Sequence, residues 1–130
     1  MDLDRLDGAA DVISWFGYMP SFHDAEVLEI SLHRNRDSRI ALYYWNTTNQ
    51  LDEAGEFVRD KHAVVTFKLT GITDLSLEGF SHQKVIFGVE VEELDGRLKL
   101  ELQPSYGVVG AVTAERISLE LLPGKPARAE

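Results

Sequence analysis

Residues 15–27 read WFGYMPSFHDAEV, and this stretch decides how the chain divides between helix and sheet. Before it, the apolar side chains of residues 9–16 follow the spacing of one helical face. After it, apolar and polar residues alternate through residues 26–33, which is typical of a half-buried strand. Pro20 lies between the two patterns, and proline disfavours helical geometry for the residue before it. The stretch therefore predicts a change from a short helix to a strand.

The helix is predicted over roughly residues 8–16. Asp7 is its expected N-cap, because a short acidic side chain can accept a hydrogen bond from the free backbone N–H groups of the first turn. Gly17 is expected just past the other end, where helices often require a left-handed residue.

The dipeptide Asp95-Gly96 is the strongest turn signal in the chain and predicts a two-residue β-hairpin. The register that this turn sets places apolar residues opposite apolar residues, and one acidic residue opposite a lysine. It pairs Val91 with Leu100, Val89 with Leu102 and Glu92 with Lys99, and it also places Glu90 opposite Glu101, which is unfavourable.

Alternation with a period of two predicts several strands, separated by turn-rich segments. They cover residues 26–33, 40–45, 65–70, 75–77, 85–91, 97–102 and 117–121. The expected fold class is α+β and mainly β, an antiparallel sheet or sandwich of about seven strands with one short N-terminal helix. Residues 1–122 are expected to form a single globular domain, and residues 123–130 a frayed C-terminal tail.

Residues 46–61 show no regular pattern and are interpreted as a long loop. A loop of this length in a compact domain is usually functional or mobile. It is also acidic, and its carboxylates belong to Asp52, Glu53, Glu56 and Asp60.

The composition narrows the classes of partner. The chain has 130 residues and a formal net charge of −9, from 22 acidic and 13 basic residues. Neither a nucleic acid nor an anionic membrane is therefore expected to bind directly. Cysteine is absent and the N-terminus shows no secretion pattern, so a cytoplasmic location is expected.

His23, Asp24 and Glu26 form the one obvious group of chemically capable side chains. A structural role in the turn before the strand is favoured, with contact to a partner or metal chemistry as the alternatives. In an extended segment His23 would point away from the two carboxylates, which argues against a local metal site. Nucleophile, phosphate-loop and cofactor motifs are absent, so an enzyme is not expected and no cofactor is predicted.

Three stretches together resemble a known family: residues 15–34, the segment GITDLSLEGFSHQKVIFGVEV from Gly71, and PSYGVVGAVTAERISLEL from Pro104. The chain is similar, over about residues 15–122, to the immunity protein 50 family of bacterial polymorphic toxin systems and to allied uncharacterised small bacterial proteins. The most specific parts are PSFHDAEV at residues 20–27 and LEGFSHQ at residues 77–83. The residues interpreted as a structural motif are Trp15, Phe22, His23, Asp24, Glu26, Gly79, Phe80 and Gln83.

The resemblance implies a binding role, in which the protein occupies a cognate protein toxin and blocks it. Many toxins of such systems are nucleases with basic surfaces, which an acidic protein would complement. The residues expected to contact the partner are Tyr18, His23, Asp52, Glu53, Glu56 and Asp60.

Two other hypotheses come from different functional classes. One is a self-associating structural or interaction module, with a homodimer as its product. The other is a small metal-binding enzyme built around His23, Asp24 and Glu26.

Overall fold

The computed structural model describes residues 2–78, 85–106 and 109–126. After a 3-10 turn at Leu3–Arg5 comes one helix, and six strands follow it. The bounds are α1 Ala9–Phe16, β1 Glu26–Ser31, β2 Ser38–Leu51, β3 Phe57–Glu78, β4 Val85–Leu94, β5 Arg97–Tyr106 and β6 Val109–Pro123. The prediction of a mainly β, antiparallel protein with one short N-terminal helix is confirmed.

Helix α1 lies where the sequence predicts it. It buries Ala9, Val12 and Phe16, and Gly17 ends it in the left-handed region with φ of 86°. The prediction that Asp7 caps the helix is wrong, because Gly8 occupies the cap position with φ of 87° and no side chain caps this end. Asp7 instead uses its carbonyl oxygen to accept a hydrogen bond from the backbone N–H of Leu119, at 2.7 Å.

The six strands form one antiparallel sheet, in the order β1-β2-β3-β6-β5-β4, that closes on itself. The closure depends on the chain just before β1, which bonds to β4. The N–H of Asp24 donates to the carbonyl of Ile86 at 3.0 Å, and the N–H of Ile86 donates to Ala25 at 3.1 Å. The stretch that separates helix from sheet in the sequence is therefore also the seam of the closed sheet.

Strand β3 replaces two predicted strands. Residues 65–70 and 75–77 belong to one strand that pairs with β6 along most of its length. Gly71 in the left-handed region, with φ of 69°, and a register irregularity between Ile72 and Asp74 interrupt the alternation. The interruption has the sequence signature of a turn although the backbone ladder continues through it.

The prediction of a long loop at residues 46–61 is wrong, because most of these residues belong to strands β2 and β3. Strands β2 and β3 continue to pair beyond the closed sheet as far as Leu51 and Phe57, and only residues 52–56 form a turn. The pairing of β3 with β6 reaches only Ala63, and that of β1 with β2 only Tyr43. Residues 45–62 are therefore a two-stranded ribbon that projects from the sheet, and we call this segment the ribbon.

The Asp95-Gly96 hairpin has the predicted register. Both turn residues have positive φ, at 50° and 79°. Glu92 pairs with Lys99, Val91 with Leu100 and Val89 with Leu102.

One hydrophobic core joins α1 to the inward side chains of the strands. Val12 of the helix and Phe67 and Leu100 of the sheet are fully buried, as close packing of a single core requires. None of the helices in the described part of the chain has the length and apolar character needed to cross a membrane.

Candidate functional site

The turn at the end of the ribbon is held by one of its own carboxylates. Oδ1 of Asp52 accepts hydrogen bonds from the backbone N–H groups of Ala54 and Glu56, both at 2.9 Å. The N–H of Asp52 donates to the carbonyl of Glu56 at 2.8 Å, which closes the turn. Glu53 and Glu56 are exposed, and the structure records no such turn-holding role for their carboxylates. The turn therefore presents two negative charges to solvent on a fixed frame.

Next to these charges lies an exposed apolar pair. Leu51 and Phe57 are direct cross-strand partners, and they are 61% and 57% exposed. Large apolar side chains that remain this exposed side by side are typical of interaction surfaces rather than of a stable core. The ribbon end thus combines an exposed apolar pair with acidic neighbours, and no sequence pattern predicts the apolar pair.

The base of the ribbon is tied to the segment after α1 by polar side chains. The hydroxyl of Tyr18 donates to Oδ1 of Asn46 at 3.3 Å, and Nδ2 of Asn46 donates to Oδ1 of Asp60 at 3.1 Å. The structure thus brings together Tyr18 and Asp60, which the sequence placed far apart. Asn46 links them, and no pattern in the sequence predicts this linking role.

Trp15 fastens the helix to the same base. Its Nε1–H donates to the carbonyl of Lys61 at 2.9 Å, and the Lys61 ammonium lies 5.7 Å from the centre of the Trp15 ring. Lys61 has φ of 54°, at the register irregularity between Tyr44 and Asn46 of the opposite strand. The predicted motif residue Trp15 therefore covers the point where the ribbon leaves the sheet.

The outer face of β2 is covered by side chains of the ribbon itself. Tyr43 is 7% exposed although it lies outside the core cluster. Its hydroxyl is 2.6 Å from Nδ1 of His62, and its ring lies 5.0 Å from that of Trp45. The guanidinium of Arg59 stacks 4.7 Å above Trp45, at a distance where cation–π attraction operates. The side chains at the base of the ribbon are therefore packed against one another and against β2.

Phe22 gives the PSFHDAEV stretch its structural role. It is fully buried, with its ring 5.5 Å from Tyr44 and 5.7 Å from Phe67. It achieves this in the left-handed region, at φ of 64°, and Asp24 has φ of 67°. The segment is thus a tight turn that inserts one aromatic ring into the core.

His23 lies at the apex of this turn. The prediction that its side chain points away from Asp24 is wrong, because the segment is not extended: His23 Nδ1 lies 3.2 Å from Oδ2 of Asp24. Both side chains are more than half exposed, whereas Glu26 is half-buried in β1. Across residues 2–78, 85–106 and 109–126, no group of three or more metal-ligating side chains is arranged to hold an ion.

Tyr44 interacts electrostatically both with Tyr18, at the base of the ribbon, and with Asp24, in the turn before β1. Burial raises the pKa of its phenol well above the ordinary value, and its hydrogen bond to Tyr18 and the charge of Asp24 act in the same direction. The folded state therefore keeps this phenol neutral at a pH where the unfolded chain ionises it.

We expect alkaline destabilisation that depends on Tyr44. Because the pKa of Tyr44 is raised in the folded state, the stability that its neutral phenol provides is intact below about pH 10, the ordinary phenol pKa. Above that pH the unfolded chain ionises first, and the free energy of unfolding falls by at most about 1.4 kcal/mol per pH unit. Thermal unfolding at pH 9 and pH 11 should show a smaller loss of Tm in Tyr44→Phe than in the wild type. Equal losses in the two proteins would contradict the assignment.

The sequence-predicted residues thus fall into three groups. Asp52, Glu53 and Glu56 lie in the ribbon turn, Asn46 links Tyr18 to Asp60 at the ribbon base, and His23 lies beside Asp24. The predicted motif residues Gly79, Phe80 and Gln83 lie outside the described residues.

Comparison with known proteins gives one result. Residues 8–122 match the family model described as Immunity protein 50. No curated protein and no solved structure matches the chain significantly. The match spans the helix, the ribbon and all six strands, and it supports an immunity-protein role in general and favours a non-enzymatic one. The chain therefore belongs to the immunity protein 50 family.

Proposed function

We propose that this protein binds a cognate protein toxin and neutralises it through the end of the ribbon. The observation that carries the proposal is the exposed Leu51–Phe57 pair beside the exposed carboxylates of Glu53 and Glu56. A small apolar centre with charged surroundings is the usual composition of a protein–protein contact.

The charges favour a basic partner. The net charge of −9 attracts cationic proteins at long range, and the two turn carboxylates direct that attraction to the ribbon end. A nuclease toxin, whose surface must accept polyanionic substrate, fits this chemistry. Tyr18 and Asp60, at the base of the ribbon, and His23, in the turn before β1, extend the proposed contact surface.

The partner is found by affinity capture from cells of the source organism, followed by growth rescue. The captured protein is expressed in a sensitive host with and without this chain. Rescue by the wild type supports neutralisation. Capture without rescue would show a partner that this protein does not neutralise, and would contradict the proposal.

Charge reversal tests the ribbon end. In Glu53→Lys/Glu56→Lys, the association rate with the toxin should fall by roughly 10- to 100-fold at low salt, because electrostatic steering is lost and reversed. Asp52 is left unchanged, since its carboxylate holds the turn. Surface plasmon resonance at several salt concentrations measures the rate.

The matched control is Glu92→Lys/Glu93→Lys, which makes the same change in net charge at exposed positions of another hairpin. It should retain most of the wild-type rate. If both double variants lose the same amount, only the overall charge matters and the ribbon end is not the contact.

Self-association is the second candidate, and the same exposed apolar pair favours it. In that case two ribbons pack together through Leu51 and Phe57. Light scattering would then give a dimer for the wild type and a monomer for Leu51→Ser/Phe57→Ser.

A further inference from the structure

A cleft of about 400 Å³ lies at the opposite end of β2 from the ribbon. It opens where the β1–β2 turn approaches β3 near Gly71. Because β2 is 14 residues long, this cleft lies roughly 40 Å along the strand from the proposed toxin contact. A small molecule bound there would therefore not reach the end of the ribbon.

The cleft has the opposite charge to the protein as a whole. Arg34 and Arg36 line it, and none of the described lining residues is acidic. Asp37 of the same turn is engaged elsewhere: it accepts a hydrogen bond from the Thr70 hydroxyl at 2.9 Å and lies 3.5 Å from the Lys68 ammonium.

The cationic side of the cleft is held in place by hydrogen bonds. The Ser38 hydroxyl, which is fully buried, accepts from the backbone N–H of His33 at 2.9 Å and donates to its carbonyl at 3.3 Å. Nη2 of Arg36 lies 3.3 Å from Nδ1 of His33, and Nε2 of His33 lies 2.9 Å from the Ser31 hydroxyl. A guanidinium can only donate, so Nδ1 is the acceptor and His33 carries its proton on Nε2. This contact uses one of the five N–H groups of Arg36.

The other side of the cleft is apolar. Leu32 and Leu75 line it and are 43% and 39% exposed, and Ile72 of β3, which also lines it, packs against the core. Side chains of this size, exposed next to two arginines, suit a ligand that has both a charged and an apolar part. The side chain of Glu115 lies close to Gly71 and would repel an anion on that side of the cleft. The anionic group of a ligand is therefore expected beside the arginines.

We propose that this cleft binds an amphipathic organic anion, a carboxylate that carries a short apolar chain. The carboxylate lies between Arg34 and Arg36, where planar guanidinium groups match its geometry. The apolar chain lies on Leu32, Ile72 and Leu75. Either a free aliphatic acid or the C-terminal residue of a peptide has this chemistry.

The proposal is tested by two-dimensional amide NMR titrations at constant ionic strength, with hexanoate, hexanol and inorganic phosphate as probes. Hexanoate should shift the amides of residues 32–38 and 71–75 at lower concentration than either of the other two. Hexanol lacks the charge and phosphate lacks the chain. A hexanoate response equal to that of hexanol or of phosphate would overturn the proposal, as would shifts confined to other residues.

Substitutions identify the groups that bind. Arg34→Gln/Arg36→Gln should weaken hexanoate binding by about tenfold or more, because hydrogen bonds to charged groups are lost. Arg97→Gln/Lys125→Gln removes the same charge at exposed positions elsewhere and should leave binding unchanged. Leu75→Ser should weaken hexanoate binding but not phosphate binding, and it leaves the arginines intact if the double variant folds poorly. Unchanged hexanoate binding in both cleft variants would overturn the proposal.

N-acetyl-leucine distinguishes the two sources of the ligand. Tighter binding of N-acetyl-leucine than of hexanoate assigns the cleft to a peptide C-terminus, and the reverse order assigns it to a free aliphatic acid. Failure of both compounds to bind would overturn the proposal.

Discussion

Replacing Gly8 with alanine is expected to destabilise the fold by about 2–5 kcal/mol, from the cost of a left-handed alanine and of overpacking a filled site. Gly8 has φ of 87°, and a Cβ atom there would overlap the carbonyl oxygen of Leu119 and lie 2.9 Å from its carbonyl carbon. Leu119 is part of β6 and donates its N–H to the carbonyl of Asp7 at 2.7 Å. Neither backbone can move away without breaking the attachment of the N-terminal segment to the sheet.

Gly17→Ala is the matched control for Gly8→Ala. Gly17 has nearly the same φ, 86°, but a Cβ there would meet nothing within 4 Å. Its cost should be only the conformational part, about 1–2 kcal/mol. Urea unfolding followed by circular dichroism measures both losses. Equal losses would show that the contact with Leu119 relaxes without cost.

Replacing Phe22 with alanine is expected to cost about 3–5 kcal/mol of unfolding free energy, the usual loss for a buried aromatic ring. The ring is fully buried and makes edge-on contacts with Tyr44 and Phe67. It also lies in the segment that closes the sheet, since the neighbouring N–H of Asp24 bonds to Ile86. The cavity and the weakened seam act together.

Phe57→Ala is the control for Phe22→Ala, because it removes the same atoms from an exposed position on the ribbon. It should cost less than about 1 kcal/mol. Denaturant titration of the two variants gives the comparison. A small loss in Phe22→Ala would mean that PSFHDAEV is not a structural anchor.

Local patterns predicted the parts of the fold in which one face of a strand is buried. The Asp95-Gly96 hairpin is the clearest case, because turn geometry and the alternation of Val89 and Val91 with polar residues agree on one register. The helix at Ala9–Phe16 was predictable for the same reason, since its apolar face packs against the core.

The ribbon could not be predicted because it extends beyond the core. Residues 46–50 read NTTNQ, a polar run without alternation, although they belong to β2, whose register with β3 is irregular between Thr47 and Leu51. Alternation reports burial of one face, and here both faces are outside the closed sheet. The sequence therefore identified the acidic residues of the candidate site but not the frame that holds them.

The seam of the sheet was equally hidden. Its hydrogen bonds come from the irregular segment around Phe22 and Asp24, both with positive φ, and such backbone has no periodic signal. The apolar half of the candidate site was missed because Leu51 and Phe57 are isolated apolar residues in polar surroundings. Only their pairing across the ribbon reveals them.

The pairing of β3 also determines when folding can be completed during synthesis of the chain. One edge of this 22-residue strand pairs only with β6. Val64 therefore has no partner on that edge until Leu122 is present, and Leu69 has none until Ile117 is present. A ribosome-bound chain that lacks β6 exposes a long unpaired strand edge, and contacts so distant in sequence form slowly. Folding is therefore completed only after β6 has emerged from the ribosome.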